Sequence, residues 1–218
     1  RVLGSDHPYT LISRNNLANA YQAAGRLERA VPLFERTLAD HERVLGSDHP
    51  YTLISRNNLA LAHQDAGRLE QAILLFEQAL AEALRVLGPN HPHTLSSRNN
   101  LAGAYESAGR LKEAIDLHER TLADRERVLG PDHPDTLNSR NNLATACWSA
   151  GRLDEAIDLY EQNLAEALRV LGPDHPDTKT FRNSLAYTYR AVGRDEDAEA
   201  LLDPPSDPDD TDTEAPTC

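Results

Sequence analysis

A repeat of 42 residues runs along almost the whole chain and restricts its fold more than any other feature. The sequence Arg-Asn-Asn-Leu-Ala begins at Arg14, Arg56, Arg98 and Arg140, and a fifth version, Arg-Asn-Ser-Leu-Ala, begins at Arg182. The motifs Ala-Gly-Arg-Leu and Val-Leu-Gly follow the same period. Such self-similarity is typical of repeat architectures, in which each repeat is one supersecondary unit. We therefore expect a stack of like units instead of one globular core.

Each repeat has the pattern of two helices separated by glycine. In the first repeat, one helix is predicted to begin at Pro8, because proline is tolerated in a first helical turn, and to end at Gly25. A second helix is predicted from Leu27 to Leu45, where Gly46 ends it. The expected buried positions are apolar or aromatic side chains at helical spacing: Leu11, Leu17, Ala18 and Tyr21 in the first helix, and Leu27, Ala30, Val31, Phe34 and Leu38 in the second.

One helix pair cannot bury its own apolar stripe, so adjacent pairs must stack and share a core. The predicted fold class is all-α, a right-handed superhelical solenoid of antiparallel helix pairs over residues 1–202. Its repeats are expected at about 5–46, 47–88, 89–130, 131–172 and 173–202. Residues 203–218 form an acidic tail with several prolines, for which we predict disorder.

Two sets of equivalent positions are predicted to hold the stack together. The small residue of the first helix should mark the closest helix contacts: Ala18, Ala60, Ala102, Ala144 and Ala186. The place of Phe34 is taken by Phe76, His118 and Tyr160 in the next repeats. Because His118 is a polar substitute, we expect the third repeat to be the least stable.

Composition argues against several classes of partner and compartment. The formal net charge of −13 disfavours a nucleic-acid partner, since counterion release requires basic residues. No apolar run reaches the roughly 20 residues needed to span a bilayer. Two cysteines without a metal-binding spacing favour a reducing cytoplasm. Arginine far outnumbers lysine, which indicates a GC-rich genome of the actinobacterial kind. The chain begins inside a repeat, so we expect a fragment of a larger protein.

The sequence offers no constellation of catalytic, cofactor-binding or metal-binding residues. Histidines precede a proline once per repeat, at His7, His49, His91, His133 and His175. Packed helices lie about 8–10 Å apart, whereas zinc bonds need about 2 Å, so these histidines are expected to cap helices. No glycine-rich phosphate loop and no nucleophile elbow occurs. We expect a protein without enzymatic activity, cofactor or metal.

The repeat resembles the tetratricopeptide repeat over residues 1 to about 202. Leucine, alanine and aromatic residues fall where that family places its packing positions, as at Leu17, Ala18, Tyr21, Ala30 and Phe34. The 42-residue period, the Asn-Asn-Leu-Ala motif and the Leu-Gly-Pro-Asp-His-Pro loop resemble the subtype found in kinesin light chains and related bacterial proteins. Departures from the family are Arg14 and its equivalents, where Trp is frequent, and Cys147, where Tyr is expected.

The resemblance implies a scaffold that binds a peptide in a concave groove lined by the first helix of each repeat. In bacteria, similar arrays often form the sensor or regulatory part of signalling proteins. The groove positions carried over to this chain are a nearly constant asparagine pair and the variable residues beside it: Asn15, Asn57, Asn99, Asn141 and Asn183; Asn16, Asn58, Asn100 and Asn142; and Asn19, Leu61, Gln64, Glu106, Thr145, Trp148, Tyr187 and Arg190.

These positions have alternative interpretations. Asparagine offers both a donor and an acceptor to a peptide backbone, but the same amides could instead bond neighbouring helices. The series that begins at Arg14 is expected to form hydrogen bonds or ion pairs between repeats. Trp148 is either an interface anchor or a cover on a neighbouring helix.

The leading functional hypothesis is a cytoplasmic scaffold for a protein or peptide of unknown identity. The alternative is structural self-association through the open face of the first repeat. That face could equally meet a covalently linked N-terminal domain.

Overall fold

The computed structural model describes residues 4–202, and every regular element in this range is an α-helix. Contacts divide the chain into two compact units, a first unit that ends at Ser139 and a second unit that begins at Arg140. The helices are α1 (Pro8–Ala23), α2 (Leu27–Leu45), α3 (Pro50–Asp65), α4 (Leu69–Leu87), α5 (Pro92–Ser107), α6 (Leu111–Leu129), α7 (Pro134–Ser149), α8 (Leu153–Val170), α9 (Pro176–Ala191) and α10 (Asp195–Leu202).

The loop histidines start the first helix of each repeat, as the sequence predicted. In α3, the Nδ1 atom of His49 accepts the backbone N–H of Tyr51 at 3.2 Å, and Pro50 occupies the first helical position. The same cap occurs at His7, His91, His133 and His175. A side-chain acceptor at this place satisfies one of the N–H groups that a helix start leaves unpaired.

Glycine ends the helices at the predicted places. Gly25 has a φ of 70°, and Gly46 has a φ of 90° with a ψ of 161°. Residues with a side chain rarely adopt either conformation. The two helices of the first repeat therefore stop where the sequence analysis placed them.

In the first unit, each helix from α1 to α5 packs against the next helix along the chain. Ala18, Ala60 and Ala102 are fully buried, as are Phe34 and Phe76. One apolar cluster joins residues of α1, α2 and α3, and another joins residues of α3 to α6. These clusters form the shared core that the repeat pattern predicted.

In the second unit, α9 packs against both α8 and α10. Ala144, Tyr160 and Ala186 are buried, and the hydroxyl of Tyr160 lies 2.8 Å from the hydroxyl of Thr145. Tyrosine therefore fills the place of Phe34 and adds a hydrogen bond to the preceding helix.

One predicted core residue is exposed. Leu17 has 48% of its surface accessible, whereas its equivalents Leu59 and Leu101 have 5% and 4%. The reason is positional, because the equivalents are covered by the second helix of the preceding repeat, and none of the helices described here precedes α1. The expectation of a buried Leu17 is thus wrong for this repeat.

The tail predicted at residues 203–218 lies outside the described range, as do the first three residues. Within residues 4–202, none of the helices is both long and apolar enough to pass through a membrane.

Candidate functional site

The predicted groove residues of the first unit, apart from Asn16, Asn58 and Asn100, lie on one accessible face of its first helices. Within each helix of the first unit, the residues of this face are three or four positions apart. The remaining sides of α3 and α5 are largely buried against their neighbours. The face is formed by Ile12, Asn15, Asn19 and Gln22 in α1, by Ile54, Asn57, Leu61 and Gln64 in α3, and by Ser96, Asn99, Gly103 and Glu106 in α5.

The asparagine pair also links one repeat to the next. The side-chain amide of Asn58 donates to Oδ1 of Asn15 at 3.1 Å, and that of Asn100 donates to Oδ1 of Asn57 at 3.0 Å. The alternative of amides that bond neighbouring helices is therefore realised in this unit. An asparagine has two donor hydrogens and two acceptor lone pairs, so one such bond does not use its full capacity.

Further polar groups on the same face are bonded to neighbouring helices, two of them across repeats. The side chain of Gln22 donates to Asp65 at 2.6 Å, and that of Gln64 donates to Ser107 at 3.1 Å. Glu106 lies 2.7 Å from Nε2 of the buried His118. The polar side chains of the face are thus held in place by bonds to residues beside it.

The accessible faces of the first and second helices differ in charge. Of the twelve side chains that form the face in α1, α3 and α5, only Glu106 carries a charge, and it is occupied by His118. The exposed side of α2, in contrast, carries acids and bases such as Glu28, Arg29, Glu35 and Arg36. Amides and aliphatic groups therefore concentrate on one face of a chain in which 26% of residues are charged.

The arginines before the first three asparagine pairs form ion pairs. Arg14 bonds Asp40 at 2.5 Å within its own repeat. Arg56 bonds Glu42 of the preceding repeat at 2.7 Å and also pairs with Glu82 of its own. Hydrogen bonds from Arg14, and then from Arg43, lower the pKa of Asp40. The sequence predicted bonds between repeats for the whole series of arginines. Of the pairs named here, only Arg56–Glu42 joins two repeats.

A cavity of about 250 Å³ opens on the face between α3 and α5. Its walls are mainly apolar with a few polar groups, and its lining consists of Pro50, Leu53, Ile54, Asn57, Ala83, Leu87, His93, Ser96 and Ser97. A concave apolar site with a few polar groups is the usual form of a ligand pocket. Sequence reasoning found Asn57 but missed Ala83 and Ser97.

In the second unit, the predicted residues of α7 are partly exposed and those of α9 are exposed. The rings of Trp148 and Tyr187 lie 5.6 Å apart and help to line a cavity of about 430 Å³, together with Thr145 and Asn183. Arg190 is exposed on α9 beyond this cavity's lining. The side-chain oxygen of Asn141 is buried without a hydrogen-bond partner.

The side-chain oxygen of Asn141 does not receive the asparagine bond that Asn15 and Asn57 receive, and the sequence explains why. The residue equivalent to the donors Asn58 and Asn100 is Ser184, and its hydroxyl donates instead to the carbonyl of Thr180 at 3.2 Å. Among the described residues, no group of three His, Cys, Asp or Glu side chains is arranged to hold a metal ion.

Comparisons with known proteins place these observations in a family. The family model for the tetratricopeptide repeat matches residues 9–82, 75–127, 99–165 and 147–203. No curated protein matches the sequence.

Similar solved structures include a Podosopora anserina protein assigned as a kinesin light chain, with nearly identical TPR-like repeats. It is 36% identical, with a TM-score of 0.79 over 90% of this chain and 93% of that one. A variant of that protein is 34% identical, with a TM-score of 0.80 over 93% and 94%. BtubC (BKLC) from P. vanneervenii, 22% identical with a TM-score of 0.77 over 89% and 78%, shares the fold. The expected fold class of a helical-repeat solenoid is confirmed, and the chain belongs to the tetratricopeptide repeat family.

Proposed function

We propose that this protein is a non-enzymatic scaffold that binds an extended or helical polypeptide along the accessible face of its first helices. The observation that carries the proposal is the concentration of amide and aliphatic side chains on that face, in contrast to the charged exposed side of α2. Side chains of this kind can bond a peptide backbone without requiring a charged partner. The proposal agrees with the general role of tetratricopeptide repeats in protein interactions.

Within this proposal, the residues have two kinds of task. The asparagines, in the series from Asn15 and from Asn16, offer the capacity left by their bonds between repeats to the backbone of the ligand. The variable residues supply specificity, among them Asn19, Leu61, Gln64 and Thr145. In the second unit, Trp148, Tyr187 and Arg190 are proposed as anchors, because aromatic residues and arginine dominate many interfaces.

A capture experiment tests the proposal. The protein and a variant with Leu61→Arg and Gln64→Arg would be used to purify partners from a lysate of the source organism, and each captured protein would then be titrated by calorimetry. Both positions are partly exposed, and circular dichroism would establish that the variant is folded. We expect a loss of affinity of at least about tenfold, because large charged side chains obstruct the face.

A matched control separates this effect from a general change of surface charge. Gln71 and Gln78 are exposed on α4, away from the first helices, and changing both to Arg adds the same charge. The control should bind like the unchanged protein. Equal affinity for all three proteins would exclude the face from binding.

A second candidate function is self-association through the open face of α1. The exposure of Leu17 favours it, since this side chain is buried in every later repeat. A head-to-tail contact is disfavoured, because the place of Val31 in the last repeat is taken by the exposed Glu199, whose carboxylate would lose its hydration. Light scattering over a concentration series tests this candidate, and Leu17→Asp should abolish any dimer it detects.

We also propose that the chain belongs to the kinesin-light-chain-like subtype with 42-residue repeats, and that residues 1–202 act as one solenoid. Its place as the sensor or regulatory part of a larger bacterial protein, in the cytoplasm, extends the same proposal. The support is the Leu-Gly-Pro-Asp-His-Pro loop, the Asn-Asn-Leu-Ala motif and the arginine-rich composition.

A further inference from the structure

One position in the second helix alternates along the chain with twice the repeat period. It is His41 in the first repeat, Ala83 in the second, Arg125 in the third and Ala167 in the fourth. In the first unit, each of the first three faces the first helix of the following repeat, where a serine occupies a constant place: Ser55, Ser97 and Ser139. A comparison of the repeats therefore shows which side chains can occupy the space beside these serines.

The first repeat fills the place with an imidazole. Nδ1 of His41 lies 2.7 Å from the hydroxyl of Ser55, and its ring stacks on Tyr51 at 6.2 Å between centroids. Burial lowers the pKa of His41, so the neutral ring is favoured there. A smaller cavity of about 200 Å³ remains beside it, lined by His41 and Tyr51.

The third repeat fills the place with a guanidinium. Arg125 donates to the hydroxyl of Ser139 at 2.6 Å and to the carbonyl oxygen of Asp135 at 2.9 Å. The carboxylate of Asp135 also interacts with this arginine, which offsets part of the cost of burying its charge.

The second repeat leaves the place open. Ala83 has no side chain to reach across, and Ser97 now lines the cavity of about 250 Å³ together with His93 and Asn57. His93 occupies the position of Tyr51 and Asp135, so a flat ring is available for stacking but the carboxylate that accompanies Arg125 is absent. No Asp or Glu lines the cavity, which favours a neutral group over a cation.

We propose that this cavity, which we name the Ala83 pocket, receives a histidine side chain of the polypeptide bound on the face. Its imidazole takes the place that His41 fills in the first repeat, bonds the hydroxyl of Ser97 and stacks on His93. This inference rests on the proposed function and specifies one anchor of its ligand. Asn57, in the lining of the pocket, can bond the backbone beside that anchor.

A titration with small probes tests the pocket without the natural partner. N-acetyl-histidinamide would be added to the protein at a pH where its ring is neutral, and the methyl signals of Leu53, Ile54 and Leu87 would be followed by NMR. We expect these signals to shift in a saturable way. The corresponding amides of arginine and leucine serve as comparison probes and should bind at least about tenfold more weakly.

One variant fills the Ala83 pocket, and another opens the equivalent space in the first repeat. Ala83→His supplies the ring from the chain itself and should abolish probe binding, whereas Ala167→His, the equivalent change in the fourth repeat, should leave it unchanged. His41→Ala should create a second pocket and add shifts at Leu11 and Leu45. If His41→Ala fails to fold, Ala83→His alone decides the matter.

The outcomes separate this inference from the function on which it rests. Absence of shifts, equal binding of the arginine or leucine probe, or undiminished binding to Ala83→His would each overturn the pocket. A captured partner that loses affinity with Leu61→Arg and Gln64→Arg but not with Ala83→His would leave the scaffold function standing and refute the histidine anchor.

Discussion

At the scale of single residues, equivalent positions act as internal controls for one another. The asparagine bonds from Asn58 to Asn15 and from Asn100 to Asn57 show what a complete link between repeats looks like. Asn141 lacks this link because Ser184 stands where a donor amide is required. A buried acceptor without a partner costs about 1–3 kcal/mol, so this position weakens the second unit.

The first prediction restores the missing link. Ser184→Asn places an amide where Asn58 and Asn100 carry theirs and should raise the free energy of unfolding by about 1 kcal/mol. Chemical denaturation measures the change. Ser184→Ala serves as control and should not stabilise, since it supplies no donor. A destabilised Ser184→Asn protein would show that the bond geometry of the first unit does not extend to this position.

The second prediction concerns pH. Burial, and then the positive charge of Arg68, lowers the pKa of His63 in the folded protein. In the unfolded chain, the imidazole of His63 is protonated with the ordinary pKa of about 6.5. Stability is therefore fully present above that pH and falls as the pH drops towards the lowered folded pKa. His41 contributes in the same direction.

His63→Tyr tests this linkage with a residue that the chain itself uses. The equivalents Tyr105 and Tyr189 donate hydrogen bonds to Glu77 and Glu161, at 2.7 and 2.6 Å. We expect the variant to lose less of its melting temperature than the unchanged protein between about pH 7.5 and 5.5. An identical pH dependence of the two proteins would assign the acid sensitivity to other groups.

At the scale of helices, the sequence predicted the ends of each element well. Proline, histidine and glycine act locally, so the bounds of α1 and α2 follow from Pro8, Gly25 and Gly46 without knowledge of the fold. The links between helices were less predictable. Whether an asparagine faces a ligand or its neighbour depends on the distance between repeats, and the sequence does not contain that distance.

The Ala83 pocket escaped sequence analysis for a similar reason. The alternation of His41, Ala83 and Arg125 can be read from the sequence, but the sequence alone does not show what these side chains contact. That these residues face the constant serines becomes evident only from the packing of second helices on the following first helices.

The third prediction contrasts two glycines. Gly88 ends α4 with a φ of 86° and a ψ of 168°, a region almost restricted to glycine, whereas Gly103 lies within α5. A methyl group would meet no other atom within 4 Å at either place. Gly88→Ala should therefore destabilise by about 1–3 kcal/mol through strain alone, and Gly103→Ala should stabilise by about 0.5–1 kcal/mol. Similar values for both in thermal unfolding would contradict this account.

At the scale of the whole molecule, stability comes from faces shared between neighbours, and none of the described helices precedes α1. Leu101→Ala should cost about 2–5 kcal/mol, because Leu101 is buried between repeats. Leu17→Ala, the same change on the open face of α1, should cost no more than about 0.5 kcal/mol. Equal costs in denaturant unfolding would mean that another surface covers α1 in solution.

The central claim is that the accessible face of the first helices receives a polypeptide. Site-specific photocrosslinking tests it most directly, with benzoylphenylalanine introduced at position 61 on α3 or at position 78 on α4, in the presence of a partner captured by the unchanged protein. We predict crosslinks from position 61 and none from position 78. Crosslinks from position 78 alone would place the ligand on the charged second helices and contradict the account.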